Sequence, residues 1–214
     1  MSILFLSKTT EWCKAAQRFI LAHRNDVTIF EGDRGVPFPD AARAWRGDYI
    51  VSFLSSWVIP EEVLSQGQKA AINFHPAPPE YPGIGCYNFA LYDQVTGYGV
   101  TCHHMAKRVD TGKIIKVSRF PVFPTDTVDS LKERSMAYLL TLFYEIASLV
   151  IAEKPLPVSS ETWVRKPYTR KELDALCRIV PDMTPKEVHR RVRATFYPGY
   201  PGPYVELADY KFKL

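Results

Sequence analysis

The sequence predicts an α/β fold with a mostly parallel sheet, because short apolar runs alternate with segments of helical periodicity. The first apolar run, Ile3–Ser7, reads as a strand. A helical pattern follows over residues 9–23, with Thr9 or Thr10 as its N-cap. Val27–Glu31 reads as the second strand. In such folds ligands bind beyond the carboxyl ends of strands, so the loops that follow strands are the first places to search for a site.

The same alternation continues through the middle of the chain. A loop rich in Gly and Pro over residues 32–39 leads to a short helix over residues 40–45. Four more strands are predicted at residues 49–54, 70–75, 99–106 and 113–121. Three more helices are predicted to begin at Pro60, to cover residues 84–94, and to cover residues 127–153.

The amino-acid composition and the pattern of predicted elements change after Pro155. Residues 157–167 are rich in turn-forming residues, and two short helices are predicted over residues 170–179 and 184–193, before a strand at 205–207. We therefore predict a main domain over residues 1–155 and a small C-terminal appendage over residues 156–214, helical with a β-hairpin.

Composition limits the classes of function. The chain has 214 residues, a 46% hydrophobic share and a net charge of +4, with no basic run long enough to indicate nucleic-acid binding. The four cysteines are scattered and form no C-x-x-C pair, which favours buried thiols in a cytoplasmic protein. No segment is expected to span a membrane, and the first residues read as a strand and not as a signal peptide.

The most informative segment is Asn73-Phe74-His75-Pro76. Side chains alternate along a strand, so Asn73 and His75 face the same side. Pro76 ends the strand. Three further prolines keep the next stretch irregular, as expected for a loop at an active site: Pro78, Pro79 and Pro82.

A second polar cluster ends in Val109-Asp110-Thr111-Gly112, in a loop that can close on the same space. An amide, an imidazole and a carboxylate are the groups that acyl transfer to an amine requires. The alternative for Asn73 and His75 is a hydrogen-bonded polar pair at a strand end, without chemistry.

Two other patterns have competing interpretations. His103 and His104 suggest metal ligands, but adjacent strand residues face opposite ways, so we predict one in the core, one near the site, and no metal. Asp110-Thr111-Gly112 also matches the aspartic-protease triplet, but that chemistry needs two such carboxylates sharing a proton, and the chain has one copy.

These segments resemble a known family. Residues 72–83, INFHPAPPEYPG, resemble the N-x-H-P-S-L-L-P-x-x-R-G signature of formyltransferases that use 10-formyltetrahydrofolate. Residues 99–112, from GVTCHHM to VDTG, resemble the T-G-V-T-x-H-x-M-x-x-x-x-D-x-G segment of the same enzymes. Both occur in the order found in the family. The resemblance implies a Rossmann-like formyltransferase fold.

The resemblance also implies that Asn73, His75 and Asp110 are catalytic. Asn73 would donate a hydrogen bond to the formyl oxygen as negative charge develops there, and a protonated His75 would add positive charge. Asp110 would hold the imidazole and favour its charged form. Which group carries each proton is left open by the sequence.

The resemblance also implies which residues contact the folate and the second substrate. The implied folate-binding residues are Trp57, Val58, Ile59, Ala106, Lys107, Arg108, Val109 and Asp110. The residues predicted to contact the second substrate are Lys8, Glu80, Tyr81, Tyr87 and Asn88. Helix packing is the alternative for the tyrosines and Asn88, and surface solvation is the alternative for Lys8 and Lys107.

Departures from the family signature narrow the expected function. Ala77-Pro78-Pro79 replaces Ser-Leu-Leu, and Pro82-Gly83 replaces Arg-Gly, a version that resembles nucleotide-sugar N-formyltransferases of the GDP-perosamine type. We expect formyl transfer to a nucleotide-linked 4-amino-6-deoxysugar for O-antigen or another surface glycan, by a homodimer. Alternatives are methionyl-tRNA or glycinamide ribonucleotide as acceptor, hydrolysis of the folate, and a non-catalytic folate- or nucleotide-sugar-binding protein.

Overall fold

The architecture is known from a computed structural model that describes residues 1–208 and 210–214. Its main sheet has six strands in the order β2-β1-β3-β4-β5-β6. The strands are β1 (Ile3–Ser7), β2 (Val27–Glu31), β3 (Gly47–Phe53), β4 (Gly67–His75), β5 (Gly97–His104) and β6 (Ile114–Pro121). The first four run parallel to one another, β5 runs antiparallel to both of its neighbours, and the prediction of a mostly parallel α/β sheet is confirmed.

Five helices connect or follow these strands. They are α1 (Glu11–His23), α2 (Asp40–Ala44), α3 (Glu61–Leu64), α4 (Cys86–Tyr92) and α5 (Val128–Ile151). The predicted helix over residues 84–94 is shorter than expected because Gly85, at φ +75°, occupies its N-cap in a left-handed conformation. The Thr10 side chain caps α1 by accepting a hydrogen bond from the Cys13 N–H.

The long helix α5 is the centre of the core. Phe143 on this helix packs edge-on against three phenylalanines of the sheet, Phe5, Phe53 and Phe74. By length and composition alone, α5 is apolar enough to cross a membrane. Its apolar residues are instead buried against the sheet, which makes it a core helix.

The pairing of β4 with β5 places the polar residues of the two motifs side by side. The antiparallel register sets Asn73 opposite His103 and His75 opposite Thr101. Residues directly opposite in such a pair have neighbouring side chains on one face of the sheet. The two sequence motifs therefore meet at the carboxyl end of β4.

The C-terminal part forms a second, smaller sheet with two helices. Its elements are α6 (Arg170–Cys177), β7 (Arg178–Ile179), α7 (Pro185–Thr195), β8 (Tyr204–Leu207) and β9 (Tyr210–Lys213). The three strands lie in the order β7-β8-β9. The antiparallel pair of β8 and β9 is the predicted β-hairpin, whereas β7 was predicted as the end of the preceding helix, because a two-residue strand has no alternation of its own. Helix α7 packs on α4, next to the motif of β4.

Candidate active site

A cavity of about 510 Å³ opens at the carboxyl ends of β1, β3 and β4. Asn73 and His75 both line it, as expected for two residues on the same face of a strand. Asp110 lines it from the loop between β5 and β6. The three residues that the motifs single out therefore share one space, of a size typical for small-molecule sites.

Each ring nitrogen of His75 faces an oxygen that only accepts hydrogen bonds at neutral pH. Nδ1 lies 3.3 Å from Asp110 Oδ2, and Nε2 lies 3.2 Å from the Tyr81 carbonyl oxygen. Both contacts become hydrogen bonds only when the ring carries two protons. Burial nevertheless lowers the pKa of His75, against the opposite effects of Asp110 and the Tyr81 carbonyl. Burial therefore favours the neutral ring, which can accept a proton.

Asp110 is buried and ionised. Burial by itself would raise the pKa of its carboxyl group, but the neighbouring imidazoles of His75 and His103 and a hydrogen bond from the Gly83 N–H together lower it to about 2. The Gly83 N–H donates to Oδ2 at 2.9 Å. Asp110 also has a left-handed backbone at φ +50°, which Asp adopts more readily than most residues. The loop holds the charge in place before any ligand binds.

His103 connects Asn73 to Asp110. Its Nδ1–H donates to the His104 carbonyl oxygen at 2.8 Å, so Nε2 of the neutral ring accepts a hydrogen bond from the Asn73 amide at 3.1 Å. The same Nε2 lies 3.4 Å from Asp110 Oδ1. One N–H of the Asn73 amide is thus occupied, and the other is free to face the cavity. The sequence placed one of the two adjacent histidines near the site, and the structure identifies it as His103.

All eight residues predicted to bind the folate line the cavity: Trp57, Val58, Ile59, Ala106, Lys107, Arg108, Val109 and Asp110. The Trp57 indole N–H donates to the Val36 carbonyl oxygen at 2.8 Å, and the indole lies directly on Gly32. Val58 and Val109 are largely exposed at the mouth. The roles of the eight residues as folate ligands stay predictions. The two valines give the mouth of the cavity an apolar rim.

The residues predicted for the second substrate are divided by the structure. Lys8 lines the cavity, at the end of β1. The other four take other partners: Glu80 pairs with Arg119, the Tyr81 hydroxyl donates to Asp93, Tyr87 packs partly buried against the core near Tyr98, and the Asn88 amide donates to the Ala194 carbonyl. Among the described residues that line the cavity, these four are not found. Helix and loop packing, the alternative weighed for Tyr87 and Asn88, describes their positions.

Sequence reasoning missed the contribution of the C-terminal part. Pro167 and Tyr168 form one wall of the cavity. Tyr168 reaches it because its N–H donates to the Pro82 carbonyl at 2.8 Å, and its own carbonyl accepts from the Ile84 N–H at 3.0 Å. Gly83 permits this approach, since a Cβ there would lie 2.5 Å from the Tyr168 oxygen and its φ is +85°. No local pattern signals a contact between segments so far apart in sequence.

Most of the cavity residues belong to a segment that matches a known family, whereas Lys8, Pro167 and Tyr168 lie outside it. Residues 36–139 match the family model described as formyl transferase. The chain is 27% identical over 178 residues to methionyl-tRNA formyltransferase of Bacteroides thetaiotaomicron, covering 80% of this chain and 54% of that protein. It is 28% identical over 161 residues to GDP-perosamine N-formyltransferase of Brucella melitensis, covering 75% of this chain and 61% of that protein. The chain thus spans little more than half the length of these relatives.

Solved structures share the fold along the whole chain. A sugar N-formyltransferase from Shewanella superposes with a TM-score of 0.80 at 18% identity, over 100% of this chain and 96% of that one. An N-formyltransferase from Helicobacter canadensis, in complex with folinic acid and dTDP-3-aminofucose, superposes with a TM-score of 0.76 at 18% identity, over 99% of this chain and 86% of that one. At this identity the likeness establishes the fold.

Proposed function

We propose that this chain, whose residues 36–139 match the formyl transferase family model, is a formyltransferase that transfers the formyl group of 10-formyltetrahydrofolate to the amine of a nucleotide-linked sugar. The specific acceptor that we propose is a 4-amino-6-deoxysugar of the GDP-perosamine kind, as a precursor of O-antigen or another surface glycan. One observation carries the proposal: a buried, ionised Asp110 holds a proton-accepting His75 next to the Asn73 amide in a cavity open to solvent.

We assign proton transfer to His75. Above its lowered pKa the ring is neutral, so it accepts the proton that an attacking amine must lose, and it can return that proton to the folate nitrogen as the bond from that nitrogen to the formyl carbon breaks. The charged ring then has Asp110 at one nitrogen and the Tyr81 carbonyl near the other. Since Asp110 holds Nδ1, Nε2 is the nitrogen that exchanges its partner for the substrate. Such positioned acid–base catalysis contributes roughly 10²–10⁴-fold to a rate.

We assign Asn73 the role of electrophilic donor. Its free amide N–H is fixed by the hydrogen bond of the other N–H to His103. A donor aimed at an oxygen that takes on negative charge is worth about 3–4 kcal/mol when it is held in place beforehand. The reaction requires such a donor, because attack on a formyl carbon moves charge onto the formyl oxygen.

The cavity fits a folate by shape and chemistry. 10-Formyltetrahydrofolate would supply the activated formyl carbon, and the 55–59 and 106–110 loops would hold its flat ring between apolar walls. Leu54, Ile59 and Met105 line this region with apolar side chains. Loop backbone groups offer the donors and acceptors that a pterin ring needs.

A nucleotide sugar is favoured as acceptor by three observations. The sugar enzymes from Shewanella and Helicobacter canadensis share the fold, and the GDP-perosamine enzyme is among the relatives. The prolines after His75 match the sugar-type signature described above. Lys8 places one positive charge on the cavity wall, suited to a diphosphate. We therefore expect Lys8→Met to raise the KM for the nucleotide sugar and to leave the KM for the folate unchanged.

The proposal is tested by incubating the protein with 10-formyltetrahydrofolate and a panel of acceptors. The panel contains GDP- and dTDP-linked amino sugars, methionyl-tRNA and glycinamide ribonucleotide. Mass spectrometry should find one added formyl group on an amino sugar. A formyl group only on the tRNA or the ribonucleotide would move the chain to those activities, and folate consumed by water alone would replace transfer by hydrolysis.

A matched pair of variants links the reaction to the site. His75→Asn should fold and lose turnover by at least about a hundredfold, because the proton acceptor is gone. His104→Asn is the control, since His104 is also a histidine near the end of a strand but is not among the described residues that line the cavity. Equal rates in the two variants would reject the assignment of His75.

A further inference from the structure

The chain returns to the catalytic end of the sheet after α5. Residues 159–168, here called the C-terminal strap, cross both loops that carry the site. The Ser159 N–H donates to Ile114 O at 3.1 Å, beyond the Asp110 loop, and the Val164 N–H donates to Pro79 O at 3.2 Å, in the loop after His75. The strap therefore ties the two catalytic loops to each other.

Trp163 is the strap residue that touches the catalytic groups. Its indole N–H donates to the Gly112 carbonyl oxygen at 2.7 Å. Its ring stands edge-on to two imidazoles, with centroids 5.0 Å from His103 and 6.0 Å from His75. One side chain thus contacts both histidines of the site and the turn that follows Asp110.

The contact with Gly112 bears on the position of Asp110. Gly112 lies two residues after Asp110, whose left-handed backbone at φ +50° is less stable for most side chains than extended or helical backbone. A hydrogen bond to the Gly112 carbonyl holds the end of this turn. Small displacements at a catalytic group reduce rates strongly, so the bond has a consequence for chemistry.

The contact with His75 bears on its exposure to water. Trp163 has no charge, so its ring acts on His75 by excluding solvent from that side. The titratable groups that act on His75 are Asp110 and His103. The other charged and titratable groups that line the same cavity are Lys8, Cys86, Lys107, Arg108 and Tyr168. The strap charges Glu161 and Arg165 pair at the surface with Arg119 and Glu172.

We propose that Trp163 is a positioning residue, whose N–H fixes the turn carrying Asp110 and whose ring keeps water from His75. The effect on formyl transfer rests on the proposed function, whereas the effect on His75 does not. Two substitutions separate the two parts. Trp163→Phe keeps an apolar ring and removes the N–H, and Trp163→Ala removes both. Val164→Ala is the matched control, because Val164 lies next in the strap with its side chain exposed.

The His75 imidazole is followed by NMR titration, with His75→Asn used to assign its signal. Burial lowers the pKa of His75, so we expect Trp163→Ala to raise the titration midpoint by about half a pH unit or more as water enters. Trp163→Phe and Val164→Ala should leave the midpoint in place. An unchanged midpoint in Trp163→Ala, or an equal shift in Val164→Ala, would overturn the role of the ring. If Trp163→Ala does not fold, Trp163→Leu, which keeps an apolar side chain but covers less of His75, takes its place, and an unchanged midpoint there would overturn the role in the same way.

Turnover tests the N–H. Trp163→Phe should lower kcat about tenfold with little change in either KM, since the turn carrying Asp110 loosens while the cavity walls remain. A kcat equal to that of the Val164→Ala control would overturn this part. If no amine is formylated by the unmodified protein, the proposed function fails, and the titration still decides whether Trp163 controls the environment of His75.

Discussion

Asp110→Asn is the sharpest test of how the site handles charge. The substitution keeps the shape of the side chain and one acceptor oxygen for the Gly83 N–H, but it removes the negative charge next to His75. Asp110 is 3% exposed, so solvent screens its interactions little. The change therefore isolates the electrostatic contribution of the carboxylate.

The magnitude follows from the pKa of Asp110. A decrease from 3.8 to about 2 in a buried group corresponds to about 2 kcal/mol of net stabilisation of the carboxylate, at about 1.4 kcal/mol per unit. If His75 becomes positively charged in the transition state, loss of this partner raises the barrier by a similar amount. We therefore expect kcat to fall about thirtyfold.

The pH dependence gives the sign of the effect. Activity requires neutral His75, so it rises with pH through the pKa of this histidine. The Asp110 charge raises that pKa, and Asp110→Asn should therefore move the acidic limb of the kcat profile to lower pH while lowering its plateau. The assay is formyl transfer under saturating substrates, with circular dichroism to confirm folding. A plateau within about threefold of the unmodified protein and an unmoved limb would refute the reasoning.

Two further predictions concern the folate wall and the fold. Gly32→Ala would place a methyl group 2.1 Å from the Trp57 indole, so we expect about tenfold weaker binding of the folate by fluorescence titration. Gly97→Ala is the control, because Gly97 has open space around it, and it should bind the folate normally. Equal affinity of the two variants for the folate would contradict this prediction. Asp126→Asn should cost about 2 kcal/mol in urea unfolding at pH 7, because burial would raise the pKa of Asp126 but Arg134 and neighbouring donors lower it to about 2. That stability is fully present above pH 3.8 and is lost as the pH falls toward 2, so a variant with the same unfolding profile from pH 7 to pH 3 would count against it.

The sequence predicts the main sheet and its helices well because their signals are local. Apolar periodicity and N-caps such as Thr10 depend on neighbouring residues, and the structure keeps them. The first motif of the candidate site is also local, since Asn73 and His75 are two positions apart on one strand. His103, which connects Asn73 to Asp110, could not be told from its neighbour His104 in the sequence. Only the register of β4 and β5, which sets His103 opposite Asn73, distinguishes the two.

The residues predicted for the sugar show where sequence reasoning stops. Asn88 is a polar residue close to the motif, but its amide is used by a carbonyl 106 residues away. Trp163 lies in no recognisable motif, and the Gly112 carbonyl that accepts its hydrogen bond is 51 residues away in the sequence. The use of a polar group is set by its tertiary partner, and partners at such separations leave no periodicity in the sequence.

The cost of holding Asp110 argues that the site is organised before substrate binds. A buried carboxylate loses its hydration, and a left-handed backbone at φ +50° adds strain, so both features oppose folding. They are offset by contacts from three separate segments: two histidines from neighbouring strands and the Gly83 N–H from the loop between them. The Gly83 loop is in turn hydrogen-bonded to the strap at Tyr168. If ligand binding ordered the site, these contacts would not be needed in the free protein. Substitutions in the strap would then have no effect on His75.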